Sequence, residues 1–164
     1  MNLMIPKRYI PSFLTRRDKK KQRLQLAKSR KAYRKGKYIS RKPVKSFKSK
    51  RSHHLDNVEK IYGIRQLKLN KELSNKTRCK LSGLKKIVKK GQGAYYSSGS
   101  RPNQTAHSWG YARLASAITG GKASAVDYKI LLNNCKNNSK ALRLAKKNRK
   151  GHKYGTRKVA KTRL

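Results

Sequence analysis

Ser97, His107 and Asp127 are the residue types from which a nucleophile, a base and an orienting acid are assembled. No GxSxG elbow accompanies them, and a trio of this kind occurs by chance in most chains. Metal-assisted nuclease chemistry needs clustered carboxylates. The five acids, Asp18, Asp56, Glu59, Glu72 and Asp127, are scattered, and at least two sit where helix caps are expected. His53 and His54 have no acid or cysteine at ligand spacing and read as exposed histidines. The run GQGAYYSSG carries neither a GxxxxGK[ST] loop nor a dinucleotide fingerprint. One modest chemistry remains: a hydroxyl-rich loop ahead of a helix N-terminus, with Arg101 beside it, could hold an anion or a phosphate. No enzyme activity, no metal and no cofactor are expected.

The elements that would position these residues follow from charge and spacing. The chain has 47 Lys+Arg against 5 Asp+Glu, a formal net charge of +42. Such self-repulsion destabilises a compact state and demands an acidic partner. Nucleic acid, an anionic membrane surface and acidic protein patches all qualify. The charge is uneven: residues 1–54 hold 20 basic residues and one acid, whereas 91–135 hold four and one. A near-neutral segment therefore lies between basic flanks, and the fold class expected is mainly α. It consists of a small helical module (about 55–135) between long extended basic N- and C-terminal arms. Its Gly/Ser/Tyr loop is placed at 91–105, and 136–164 is read as a basic tail with a short helix over 139–147 followed by an arm with Gly151 and Gly155.

In the N-terminal arm, Pro6 and Pro11 push their predecessors to extended geometry. Ile5, Tyr9, Ile10 and Phe13 have no local core there and read as anchors for a partner's groove. Thr15 and Asp18 form a capping-box variant that opens a helix over about 16–35, ending at Gly36 with a thin stripe of Leu24, Leu26 and Ala27. Residues 36–54 read as extended, basic and punctuated by aromatics. Asp56 is expected to cap VEKIYG and Asn70 to cap KELSNKT. LSGLKKIVKKG presents Leu84 and Ile87 on one face and stops at Gly91. That cadence resembles a helix-turn-helix, but a plain helical hairpin is favoured. A helix from Asn103 or Thr105 to about Thr119 and a second over AVDYKILLNN, opened by Ser124 and Asp127, complete the expected core: Leu84, Ile87, Trp109, Leu114, Ile118, Val126, Ile130 and Leu131. Small residues from Gly110 to Ala117 allow close helix approach. Cys79 and Cys135 lack CxxC spacing and read as two reduced thiols. No secretory leader opens the sequence and no apolar run is long enough to span a bilayer, so synthesis in the cytosol and no transmembrane segment are expected.

The block GQGAYYSSGSRPNQTAHSWGYARLASAITGGKASAVDYKIL resembles a signature of an uncharacterised family of small basic virion-associated proteins from large nucleocytoplasmic DNA viruses of algae and protists. IPKRYIPSFLTRRDKKKQ, SRKAYRKGKYISRKPVKSFKSKRS and KIYGI are similar to it as well. Arg78-Cys79-Lys80 departs from the smaller turn expected there. The resemblance implies a minor capsid protein on the inner face of a shell, made in the host cytoplasm. Its implied partners are major capsid protein, other minor capsid proteins and an anionic inner membrane. On that reading Arg16, Arg17, Arg41, Lys42 and Arg101 are basic contacts, and Tyr95 and Tyr96 shape the module's contact surface. The alternative is a nucleic-acid-binding protein, either packaging or regulating viral DNA or belonging to a ribosome.

Overall fold

A computed structural model describes residues 3–152 and 159–164. The fold is mainly α. Its described elements are β1 (Met4–Pro6), α1 (Arg16–Tyr33), α2 (His53–Tyr62), α3 (Lys71–Thr77), α4 (Leu81–Ser97), α5 (Ala106–Ile118), α6 (Lys122–Val126), α7 (Tyr128–Asn134), α8 (Lys140–Gly151) and β2 (Lys161–Arg163). They divide into two compact units. The first comprises residues 3–50, Gln92–Trp109 and 159–164; the second comprises Arg51–Gly91 and 110–152.

In the first unit the N-terminal segment is not a free arm. β1 pairs antiparallel with β2, Ile5 facing Thr162. Ile5, Tyr9, Ile10 and Leu26 are buried together, with Leu3, Trp109 and Leu164 packed on them. Ile5, Tyr9 and Ile10 are therefore occupied within the chain, and only Phe13 stays outside, 67% exposed and stacked on Phe47. The predicted cap of α1 is present, the Asp18 N–H donating to Thr15 Oγ1 at 3.2 Å. The buried side of the helix, however, is Asp18, Gln22, Leu26 and Ser29, while Leu24 and Ala27 face outward. Three of those four are polar because they bond backbone. Gln22 donates to the Tyr9 carbonyl, Ser29 to the Ile39 carbonyl, and Asp18 accepts from the Ser46 N–H and hydroxyl. Those two Ser46 bonds hold the Asp18 carboxyl below its ordinary range.

The segment after α1 is extended, as expected, but it is strapped to the unit by side-chain amides. Gln25 bonds both the N–H and the carbonyl of Lys42. Asn103, at φ 60°, accepts from the Val44 N–H and donates to the Val44 and Phe47 carbonyls. Each amide imitates the donor–acceptor edge of a neighbouring strand and pairs strap backbone that belongs to no sheet.

The second unit holds the larger core: Val58, Leu73, Leu84, Ile87, Val88, Leu114, Ile118, Leu131 and Leu142 among its buried residues, with Ile130 packed against them. Two expected members are elsewhere. Trp109 belongs to the first unit's cluster, edge-on to Tyr9 at 5.9 Å between ring centroids. Val126 is 45% exposed. The single helix expected over AVDYKILLNN is broken at Asp127, so α6 ends at Val126 and α7 restarts at Tyr128, which changes the phase of the apolar face. Ser124 caps nothing there; it is buried, donating to the Gly121 carbonyl and accepting from Asn148. Asn70 does cap α3. Asp56 does not cap α2, whose N-cap is Ser52; Asp56 instead pairs with Arg51 at 2.8 Å. The C-terminal segment is not simply a tail, because α8, capped by Ser139, buries Ala141, Leu142 and Ala145. Gly151 closes that helix; Gly155 lies outside the described residues. Tyr62 donates its buried hydroxyl to the Ile118 carbonyl at 2.6 Å, and burial pushes its pKa up.

The two cysteines are not free thiols. Cys79 and Cys135 form a disulfide within the second unit. The backbone brings them face to face: Lys80 N–H donates to the Asn134 carbonyl and Lys136 N–H to the Arg78 carbonyl, so the cysteines are a non-hydrogen-bonded antiparallel pair. Arg78 reaches that pairing in the left-handed region, φ 54°.

Gly91 does not stop α4, which runs on through Gly93 to Ser97, so the first half of the expected 91–105 loop is helical. A Cβ on Gly91 would stand 2.6 Å from the Gly110 Cα. Two helix backbones meet there with no side chain between them. In an unpacked helix Gly→Ala is favourable by about 1 kcal/mol; at this crossing Gly91→Ala is expected to destabilise by about 1–3 kcal/mol through overpacking. The sign of the shift in urea midpoint decides, and a stabilised variant would show that α4 and α5 do not touch at this point.

Candidate functional site

Cation placement dominates the surface of the first unit. Its only acid among the described residues is Asp18, already bonded to Ser46. The second unit uses its acids internally: Asp56 and Glu59 meet Arg51, Glu59 also meets Arg65, Glu72 meets Lys76, and Asp127 meets Arg113 and Lys90. The exposed pairs, those of Asp56, Glu59 and Glu72, contribute about 0–1 kcal/mol each, whereas Asp127 is fully buried. None of them offsets charge on the first unit.

Along α1 lies an open groove of ≈ 870 Å³, lined by the apolar Leu3, Leu24, Ala27 and Leu164 and by cations that include Arg16, Lys19, Lys20, Arg23, Lys31 and Arg34. The 3.6-residue period places Arg16, Lys20, Arg23, Lys31 and Arg34 away from the face of Asp18, Gln22, Leu26 and Ser29, with Lys19 on its flank. Arg16 and Arg17 occupy the first turn and are exposed.

Arg41 and Lys42, adjacent in sequence, are placed differently. Lys42 is exposed. Arg41 is locked: its guanidinium lies 3.8 Å from the Tyr95 ring centroid, and Nη1 donates to Ser29 Oγ and the Tyr95 carbonyl, both at 2.8 Å. Nη2 donates to Ser100 Oγ at 2.9 Å, and the Arg41 N–H reaches the Tyr95 hydroxyl at 2.9 Å. Tyr95 is fully buried. Burial pushes the Arg41 pKa down while Tyr95 opposes the shift. Arg41 and Tyr95 are thus a structural rivet, whereas Tyr96 is half-buried and set edge-on to Tyr38 and Tyr95. Arg101 is exposed on the turn after α4.

Both Asp127 oxygens are taken by Arg113 and Lys90. Among the described residues no group of three or more His, Cys, Asp and Glu lies together to hold a metal ion. No described helix is long and apolar enough to cross a membrane. The arrangement can bind anions by charge and by the planar forks of its arginines. Sequence reasoning missed Arg30, whose Nη1 donates to the Ser98 carbonyl at 2.8 Å. No periodic signal marks it among its basic neighbours.

Residues 6–142 match the model of a family of unknown function, DUF5824. No curated protein and no solved structure matches the chain.

Proposed function

We propose, for a chain that belongs to DUF5824, a family of unknown function, a non-enzymatic structural role as a minor capsid protein on the inner face of a large icosahedral virus shell. The observation that carries the reading is a folded first unit whose one described acid is consumed internally, beside a groove along α1 lined by cations and apolar side chains. A surface of that kind fits acidic patches on major capsid protein or neighbouring minor proteins, with Leu24 and exposed Phe13 supplying apolar contact. The resemblance of the block from Gly91 to Leu131 to virion-associated proteins supports the shell setting. Because Ile5, Tyr9 and Ile10 are buried at home, the contact surface is the helix groove and not an extended arm.

A second reading, nucleic-acid binding, is favoured by the same row of α1 cations, which would grip a phosphate backbone without reading sequence. Gentle disruption of purified particles separates the two. On the shell reading the chain is recovered stoichiometrically with major capsid protein after nuclease treatment. Recovery only with nuclease-sensitive core material would overturn it in favour of the genome. Binding to DNA in a test tube does not discriminate, since a chain of +42 binds any polyanion.

A further inference from the structure

We propose that Arg8, Arg30 and Arg101 form a binding site for a phosphate-type oxyanion at the turn where Tyr9 meets Gly99. Three separate stretches of chain are brought to one place there. A Cβ on Gly99, at φ +111°, would stand 2.8 Å from Leu26 Cδ2 and 3.2 Å from Tyr9 Cδ2, so only glycine lets the turn lie this close. The contact draws the flanking residues together. Arg8 places its guanidinium carbon 5.9 Å from the Tyr9 ring centroid. Arg30, one turn beyond Leu26 on α1, reaches the same turn through Nη1 and the Ser98 carbonyl. Arg101 follows Gly99 by two residues, with the Ser97 and Ser98 hydroxyls just upstream.

No carboxylate joins them; no described salt bridge includes any of the three. The Arg30 Nε is buried and has no acceptor in the protein. A donor on a charged group left unsatisfied out of water is costly, and such an atom in a native fold points to a partner the chain does not supply. Electrostatics agrees in direction. Burial and the like charge of Arg34 push the Arg30 pKa down, and loss of solvent together with the charge of Arg8 does the same to Arg101. A doubly charged oxyanion relieves the repulsion between Arg8 and Arg101, and its oxygens match the guanidinium fork. The shared chemistry is a phosphate group, supplied by a nucleic-acid backbone, a lipid headgroup or free phosphate. The site rests on these residues alone and stands if the chain proves not to belong to a shell.

The test titrates inorganic phosphate against the full chain at constant ionic strength, following the thermal midpoint. Saturable stabilisation is expected, with Arg30→Gln and Arg101→Gln each weakening the apparent affinity by about tenfold or more. Lys28→Gln, which removes the same charge from an exposed position on α1, should leave it unchanged. Equal phosphate response in all four proteins would mean diffuse screening and would overturn the site. Should Arg30→Gln fail to fold, Arg101→Lys serves instead: it keeps the charge and removes the fork, and unaltered phosphate affinity in that variant also overturns the proposal. Competition by a duplex oligonucleotide or by phosphatidic acid vesicles then names the source; a site that resists both while still taking phosphate is one for the free anion.

Discussion

Reducing the Cys79–Cys135 disulfide is expected to cost about 4 kcal/mol of stability, because it releases a loop whose ends are 56 residues apart in sequence. The loop contains α4 to α7, which carry much of the second unit's core. In a chain of this size a loss on that scale lowers the thermal midpoint by about 8–16 °C. Cys135→Ser should reproduce the effect of a dithiol reductant, and adding reductant to the variant should do nothing more. Melting curves with and without reductant measure the shift, and alkylation with mass spectrometry counts free thiols. Two alkylatable thiols in the unreduced native protein would rule the bridge out. The cysteine pair closes a two-strand bridge whose flanking hydrogen bonds already fix its register. The second unit therefore retains part of its organisation when reduced, and a lowered midpoint, not complete unfolding, is the expected outcome.

Asp127→Ala is expected to destabilise by about 3–5 kcal/mol, the scale for breaking a buried ion pair from one side. The Asp127 side chain is fully buried and accepts from Arg113 Nε at 2.7 Å, Arg113 Nη2 at 2.8 Å and Lys90 Nζ at 3.0 Å. Its loss strands a largely buried Arg113 guanidinium beside α6 and α7. Lys90, half-exposed, recovers hydration and contributes less. Asp127→Asn keeps an acceptor oxygen and should fall between the wild type and the alanine variant. Urea unfolding measures both; an alanine variant within about 0.5 kcal/mol of wild type, the range of ordinary surface substitutions, would show that the cluster does not hold α6 and α7 together. The same residue explains why one expected helix became two. Three hydrogen bonds to its carboxylate fix Asp127 at φ −99°, ψ 20°, between α6 and α7.

Local signals were legible where the physics is local. Thr15 capping α1 and Asn70 capping α3 depend only on atoms within a few residues, and each matches its reading from sequence. Leu84, Ile87, Leu114, Ile118 and Leu131 were recovered as core because helical spacing put them on one face. Signals failed where another residue, near or far in the sequence, competes. Ser52 caps α2 ahead of Asp56, whose carboxylate is drawn to Arg51. Gly91 reads as a stop, but the close backbone of Gly110 outweighs its cost inside a helix.

Composition and short-range spacing suffice for the helical class and the excess of cation. Tertiary structure alone decided three things. It buried Ile5, Tyr9 and Ile10 at home, because β2 comes from the far end of the chain to pair with β1. It joined Cys79 to Cys135, because a bridge between the ends of α3 and α7 sets them opposite one another. It also sorted one arginine from another: Arg41 is spent on Tyr95, while Arg30 keeps an unsatisfied nitrogen. Their residue type is the same, and only the acceptors that the fold brings within reach make the difference.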